Sequence, residues 1–341
     1  MEGIVVGLRC GVYSVLSEGV IFRLPARGLF RNKGVKPVVG DKVLINDDYS
    51  MIIDVFERTS FLKRPTIANL DQILLVFSLK EPEFSYHLAF KYLTYANMNN
   101  IKAKVILTKL DKTKDLEEIE NIINVFNKLG YDVFVVSNKT KEGLEEVRHI
   151  FKNKISCLVG QSGVGKSSLL NAIDPEYDRS IGEYSKALGR GKHETKETIL
   201  LPYEGGFIAD TPGFSSLDLE LFKEDLAQFF PSFDKYYLDC YFSNCLHISE
   251  PKCLVKQALE NGDIPQIAYD AYLKLSSEAI YKSKRGYWLW RNITSPHQFY
   301  QRILITYQKI FYLAKKLALN IYISMSWMDI SLIIFPLEFL F

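Results

Sequence analysis

The sequence predicts a multidomain chain: an N-terminal β-barrel, a central α/β domain on a parallel sheet, and a C-terminal helical domain built on a metal site. Three observations predict it. Short β-rich runs fill residues 3 to about 64, and from about 71 apolar strands alternate with helix-patterned stretches. The strand-like run 154–159 enters the loop Gly160-Gln161-Ser162-Gly163-Val164-Gly165-Lys166-Ser167, which opens a helix-capable stretch. Three of the five cysteines fall between 240 and 253.

A length of 341 residues allows two or three domains with cores of their own. Hydrophobic content of 48% and charged content of 24% are ordinary for a soluble protein. Met1-Glu2-Gly3-Ile4 has no basic region followed by an apolar stretch, so it does not read as a secretory signal. The crowded cysteines argue for a reduced cytoplasm and a metal site, not a disulfide framework. Residues 281–341 hold eight Lys/Arg against Asp329 and Glu338, so a total of +2 leaves the first 280 residues at about −4. Global charge therefore announces no nucleic-acid partner, and only local patches can.

In the first segment, 3–8, 12–16, 20–24 and 43–45 are β-rich runs separated by Gly, Asp or Pro. Short strands of this kind crowded within 1–64 suggest a small closed five-stranded barrel of the oligonucleotide-binding type. The stretch 19–40 contains Arg23, Arg27, Arg31, Lys33 and Lys36, no acid, and the interleaved rings Phe22 and Phe30. Cations for phosphate and rings for stacking suit RNA; a solvated basic loop with core aromatics is the plainer reading. Cys10 reads as a small buried strand residue.

The central domain places strands at 71–77, 101–107, 131–136 and 154–159, with helices at 85–99, 112–129 and 141–152. Ligands on such sheets bind where loops converge at the carboxyl ends of the strands. Two of those loops look purposeful: Thr108-Lys109-Leu110-Asp111 and Ser137-Asn138-Lys139. The Asp111 carboxylate can accept from N1–H and the 2-amino group of guanine, a pair of donors adenine does not offer. The Lys109 stem can cover the base, and an amide of the Ser137 region can meet O6. Alone, the pattern also fits a turn and helix cap.

In the glycine loop, the N–H groups of residues Gly160 to Gly165 can wrap phosphates, and the helix start at Ser167 and Ser168 adds partial positive charge. Lys166 reaches terminal phosphates and the Ser167 hydroxyl can ligate Mg²⁺. Residues 174–197, poor in apolar side chains, read as a mobile loop that orders around γ-phosphate and Mg²⁺. Asp210, ending the strand-like Gly206-Phe207-Ile208-Ala209, can hold Mg²⁺ through water, and the Gly213 N–H can sense the γ-phosphate.

The guanine-type loops precede the phosphate loop, the reverse of ordinary GTPases. With Arg27-Gly28-Leu29-Phe30-Arg31, Val39-Gly40-Asp41-Lys42-Val43, Leu62-Lys63-Arg64-Pro65, Ala68-Asn69-Leu70-Asp71-Gln72 and Gly189-Arg190-Gly191-Lys192-His193, this order resembles the circularly permuted, small-ribosomal-subunit-dependent GTPase family (ribosome small subunit-dependent GTPase A) over about 1–282. The resemblance implies an oligonucleotide-binding (OB-fold) barrel at 1–64, a permuted P-loop GTPase at 65–218 and a zinc-binding helical domain at 219–284. It also implies GTP hydrolysis to GDP stimulated by the small ribosomal subunit, contact with 16S rRNA, and action as a cytoplasmic monomer. Cys240, Cys245, His247 and Cys253 offer three thiolates and an imidazole, the ligand set of a closed structural Zn²⁺ site.

Two departures stand out. Where the family usually has consecutive threonines, this chain reads His193-Glu194-Thr195; Thr195 remains a possible Mg²⁺ ligand beside an added anion. Phe214 stands where many GTPases carry a water-orienting Gln, so intrinsic turnover should be slow, on the order of 10⁻³ s⁻¹ or less. His193 is a candidate to orient the water; a structural or RNA-contacting role is open to it as well. The tail, 285–341, lies outside the resemblance and reads as a frame artefact, a docking helix or a membrane anchor, with no firm membrane partner implied. A GTP-binding assembly scaffold with little hydrolysis and a P-loop ATPase or small-molecule kinase are the rival functions.

Overall fold

In the computed structural model the described residues are 1–26, 36–63, 65–177, 184, 188, 198–210, 219 and 221–279. The tail at 285–341, the switch residues His193, Glu194 and Thr195, and Gly213 and Phe214 lie outside them.

Five antiparallel strands form the N-terminal sheet: β1 (Glu2–Arg9), β2 (Val12–Ser17), β3 (Val20–Leu24), β4 (Lys42–Ile45) and β5 (Ile52–Val55), in the order β3-β2-β1-β4-β5. A parallel bridge between Ala26 and Ile52 joins the two outer strands, and the Ile52 N–H donates to Pro25 O at 3.0 Å. Alternating side chains from these strands fill one core of Val5, Tyr13, Val15, Leu24, Val43, Ile45 and Ile52. Cys10 corrects the sequence reading, because it is exposed and sits with φ 49° beside Gly11 at φ 81°. The pair forms the two-residue turn that closes Arg9 on Val12, a hairpin geometry that needs positive φ at both central positions.

A short hairpin of β6 (Phe61–Lys63) and β7 (Thr66–Ala68) follows and locks the sheet to the rest of the molecule. The Ala68 N–H donates to Val39 O at 2.8 Å, and Asn69 Nδ2 donates to Gly40 O at 2.9 Å. Gly40, at φ 91°, lies so close that a Cβ there would stand 2.0 Å from Ala68 O. Next to it the wholly buried Asp41 accepts from Arg58 Nε (2.7 Å), Arg58 Nη2 (2.8 Å) and the Val38 N–H (2.7 Å).

The central sheet contains β8 (Gln72–Ser78), β9 (Lys102–Thr108), β10 (Val133–Val135), β11 (Ile155–Val159), β12 (Ile199–Tyr203) and β13 (Gly206–Asp210), ordered β10-β9-β8-β11-β13-β12. The expected parallel sheet holds for β10, β9, β8, β11 and β13; β12 runs antiparallel at the edge. The reason is local: Glu204 (φ 47°) and Gly205 (φ 74°) make a two-residue turn between β12 and β13, too short for a crossover. Helices α1 (Tyr86–Met98), α2 (Leu116–Lys128), α3 (Leu144–Ile150) and α4 (Lys166–Ile173) connect the parallel strands. α2 starts later than its apolar pattern suggested, since the Asp115 carboxylate caps the Glu118 N–H and residues 110–112 form a separate 3₁₀ turn.

After the sheet come α5 (Lys223–Phe229), α6 (Leu254–Glu260) and α7 (Gln266–Glu278). α5 and α7 pack on α1: Phe90 stacks on Phe230 with centroids 5.4 Å apart, and Asn97 Nδ2 donates to Phe229 O at 3.0 Å. Among the described residues no helix is long and apolar enough to cross a membrane.

Asp41→Ala removes the acceptor of a buried N–H and of a guanidinium at the joint between sheet and core. It should cost about 2–4 kcal/mol. Reversible denaturant unfolding reads this directly; a change under about 0.5 kcal/mol would be inconsistent with such a joint.

Candidate functional site: a phosphate loop met by base-reading loops

Because β8, β9, β10, β11 and β13 are parallel, their carboxyl ends open onto one edge. β11 delivers residues 160–167 there, β9 delivers Thr108 to Asp111, β10 delivers Ser137 to Lys139, and β13 delivers Asp210. Register places Asp210 one position beyond the pair Cys157 and Ala209, next to the strand that feeds the glycine loop. Asp210 is exposed.

The glycines of the loop are sterically required. A Cβ on Gly160 would stand 2.1 Å from Val76 O, while Gly163 and Gly165 sit at φ 80° and 95°. Lys166 Nζ donates to Gly160 O at 2.6 Å and to Gln161 O at 2.8 Å, so the ammonium folds back over its own loop. Burial holds its pKa below the ordinary lysine value, because the charged form is partly removed from water. This arrangement fits a phosphate chain: N–H groups, a helix N-terminus and a partly dehydrated cation converge on one concavity.

The loops Thr108 to Asp111 and Ser137 to Lys139 rest directly on this cradle. The Thr108 hydroxyl lies 2.6 Å from Val164 O and 3.1 Å from Phe77 O, and its single proton serves the shorter contact. Lys109, at φ 62°, donates from Nζ to Gly163 O at 2.8 Å and also to Glu81 O. Ser137 Oγ donates to Asp111 Oδ1 at 2.8 Å and accepts from the Thr140 N–H at 3.0 Å, which orients the carboxylate. Asn138 lies on the other side, its Nδ2 3.5 Å from the place a Cβ of Gly165 would take.

Comparison with known proteins agrees with this geometry. Residues 55–220 match the RsgA GTPase family and residues 2–51 the RsgA N-terminal domain. A Geobacillus kaustophilus protein named small ribosomal subunit biogenesis GTPase RsgA is 41% identical over 283 residues, covering 81% of this chain and 97% of that protein. Its Bacillus subtilis namesake is 40% identical over 289 residues, with the same coverage. The chain belongs to the RsgA GTPase family. Among solved structures, YjeQ from Thermotoga maritima matches with a TM-score of 0.71 at 35% identity over 81% of this chain and 97% of that one. YloQ, described as a circularly permuted GTPase, matches with a TM-score of 0.68 at 36% identity over 81% and 94%. As a member of this family the chain is a GTPase.

This RsgA chain also carries a second constellation. The Sγ atoms of Cys240, Cys245 and Cys253 and a ring nitrogen of His247 all lie within 4.8 Å of one another. His247 Nδ1 is 3.5 Å from Cys240 Sγ and 3.4 Å from Cys253 Sγ, and the two sulfurs are 3.9 Å apart. A tetrahedral site with metal–sulfur bonds of about 2.3 Å has ligand edges of roughly 3.8 Å, so the donor set fits such an ion. Burial pushes the Cys245 thiol up to about 12 and His247 down to about 4. The pocket thus favours thiol and neutral imidazole until a divalent cation reverses the thiol preference.

Residue spacing gave the ligands but not what orients them. The Glu250 carboxylate accepts from the N–H groups of Leu246 (2.9 Å), Ile248 (2.9 Å) and Ser249 (3.1 Å), which bracket His247 at φ 59°. The hydroxyls of Tyr269 and Tyr272, three apart on α7, donate to His247 O (2.7 Å) and Leu246 O (2.8 Å). An acid inside the cysteine-rich loop was the available signal. Glu81, whose carbonyl receives Lys109, left no sequence signal, because any residue supplies a carbonyl.

Thr108→Val keeps the shape of the side chain but strands the buried Val164 carbonyl and loosens the grip on the phosphate loop. It should lower stability by about 1–3 kcal/mol. Thermal unfolding of nucleotide-free protein tests this; an unchanged midpoint would show that the hydroxyl contributes nothing there.

Proposed function

We propose that this chain acts in late maturation of the small ribosomal subunit, hydrolysing GTP to GDP and phosphate as a timer that the subunit itself accelerates. The contacts of Thr108 with Val164 and of Lys109 with Gly163 carry this reading, since they seat base-reading loops on the phosphate cradle despite their reversed order in the chain. The relatives' name, small ribosomal subunit biogenesis GTPase, supports the target.

In this reading Asp111 accepts from N1–H and the 2-amino group of guanine, Lys109 covers the base, and a backbone N–H of the 137–139 loop meets O6. The N–H groups of 160–165 and Ser168 hold the phosphates. Lys166 gives up its two carbonyl partners for phosphate oxygens, an exchange of neutral acceptors for charged ones. Ser167, with Asp210 acting through water, would hold Mg²⁺, which supplies charge neutralisation at the β- and γ-oxygens. Water attacks the γ-phosphorus, the bond to the β,γ-bridging oxygen breaks, and the water proton leaves with phosphate. His193 is the candidate to orient that water once the chain is docked, with Thr195 on Mg²⁺ and the Gly213 N–H at the γ-phosphate, and Phe214 cannot position water, so the subunit should be needed for speed.

The domain reading is 1–64 for RNA contact, 65–218 for nucleotide, and 219–284 for a structural Zn²⁺ bound by Cys240, Cys245, His247 Nδ1 and Cys253; 285–341 has no assigned role. Closure of β3 toward β5 through Ala26 and Ile52 supports an oligonucleotide-binding barrel, with Arg23 and Lys36 offered to RNA, while Phe22, the next residue on β3, packs against the barrel core. A soluble, cytoplasmic, monomeric protein contacting 16S rRNA accords with this.

Single-turnover GTP cleavage with and without purified 30S subunits tests the proposal. Acceleration of tenfold or more is expected; none would favour a GTP-binding scaffold. Asp111→Asn should weaken GDP by about 100-fold or more and transfer preference to xanthosine diphosphate. Elemental analysis should find one zinc per chain, and its removal by a chelator should lower the unfolding midpoint.

A further inference from the structure

The base pocket contains one polar group that the assigned roles do not use. Asn138 Oδ1 is buried and has no hydrogen-bond partner among the described residues. A buried acceptor left unpaired is costly, and natural proteins rarely tolerate one without a ligand or a function to explain it. Its place is specific. The carboxamide meets the position that a Cβ of Gly165 would occupy, with Nδ2 3.5 Å away, and Thr108 Oγ1 approaches the same point at 3.9 Å.

Guanine presents two acceptors on the edge opposite the one Asp111 reads, O6 and N7. If the reading above is right, O6 is met by a backbone N–H of the 137–139 loop, which leaves N7 in need of a donor. Thr108 cannot serve, because its only proton is committed to Val164 O at 2.6 Å. The Lys109 ammonium is held by Gly163 O and Glu81 O. Two of the three Lys109 protons are thereby committed, whereas the Asn138 carboxamide has no hydrogen-bond partner for its N–H groups among the described residues. Its two ends are isosteric, and rotation about the terminal torsion brings Nδ2 to the unpartnered side while Oδ1 turns toward Gly165.

We infer that Asn138 is a second base-reading side chain, whose carboxamide donates from Nδ2 to N7 of guanine. The inference rests on the assignment of this pocket to a guanine nucleotide. It gives the chain a contact to each polar edge of the base: carboxylate on the N1 and N2 side, carboxamide on the imidazole side.

The test is a thermodynamic cycle on the full-length chain, with GDP and 7-deaza-GDP, which carries a C–H in place of N7, as the probes. Asn138→Ala should weaken GDP five- to tenfold, about the worth of one hydrogen bond. The wild-type protein should lose a similar factor with 7-deaza-GDP, and Asn138→Ala should then cost nothing more with that analogue. Asn138→Asp, which sets an acceptor against N7, should weaken GDP more than Asn138→Ala does and largely spare the analogue. Equal losses with both nucleotides, or no loss with either, would overturn the inference. Asp111→Asn run alongside separates the two levels. A switch to xanthosine diphosphate without an Asn138 effect defeats only this inference, and no switch defeats the guanine pocket together with it.

Discussion

The structure depends on one contact, the hydroxyl of Thr108 against the carbonyl of Val164. It joins the end of β9 to the middle of the phosphate loop across 56 residues of chain. In a parallel sheet every carboxyl end faces the same way, so which strand comes first in the sequence is irrelevant to which loops meet. A permuted chain can therefore assemble the same pocket. What it must preserve is the side-to-side order of β9, β8 and β11 and the polar contacts that bind their loops, and both are present. β8 carries none of the proposed ligands, yet it is buried at every position and sets the spacing between the two halves of the site.

The neighbouring domains attach through polar locks as much as through apolar area. Gly40 and Asn69 bring two backbones into contact where no side chain fits, and Asp41 holds the adjoining turn through Arg58. On the far side, α1 leaves the loop containing Glu81 and packs its length against α5 and α7. The Glu81 carbonyl receives the same ammonium that grips Gly163. Base pocket, phosphate loop and the root of α1 thus share one cation, which ties local order at the pocket to the helix that carries the metal-binding region.

Much of this was legible in the sequence because the chemistry is local. Gly160 to Ser167 and Thr108 to Asp111 declare themselves by spacing, and so do Cys240, Cys245, His247 and Cys253. What escaped was decided by contacts between distant segments. Cys10 looked like a strand residue because its neighbours are apolar, but the turn it shares with Gly11 is set by the pairing of Arg9 with Val12. The antiparallel β12 follows from a two-residue turn hidden in Glu204 and Gly205. Gln72, which donates to Ile150 O at 2.7 Å and Ser156 Oγ at 2.9 Å, reads as an ordinary polar residue until the sheet order makes it a buried tie.

The metal-binding region shows why a cation belongs there. Residues 221–279 contain two helices of seven residues and one of thirteen, lengths at which helices are marginal alone in water. Their buried side chains join the core of the central domain and include an aromatic cluster, where the Phe233 ring lies 4.6 Å from Tyr272 and 4.8 Å from Phe230. That cluster is adjacent to the ligands, with His247 6.0 Å from Phe233. The loop bearing His247 has no regular secondary structure among its described residues, and its N–H groups are satisfied by a single carboxylate, Glu250. Four ligand bonds to one ion would tie this irregular loop to the helices around it, so under the proposed zinc reading the ion that closes the loop would also fix the surface this region presents.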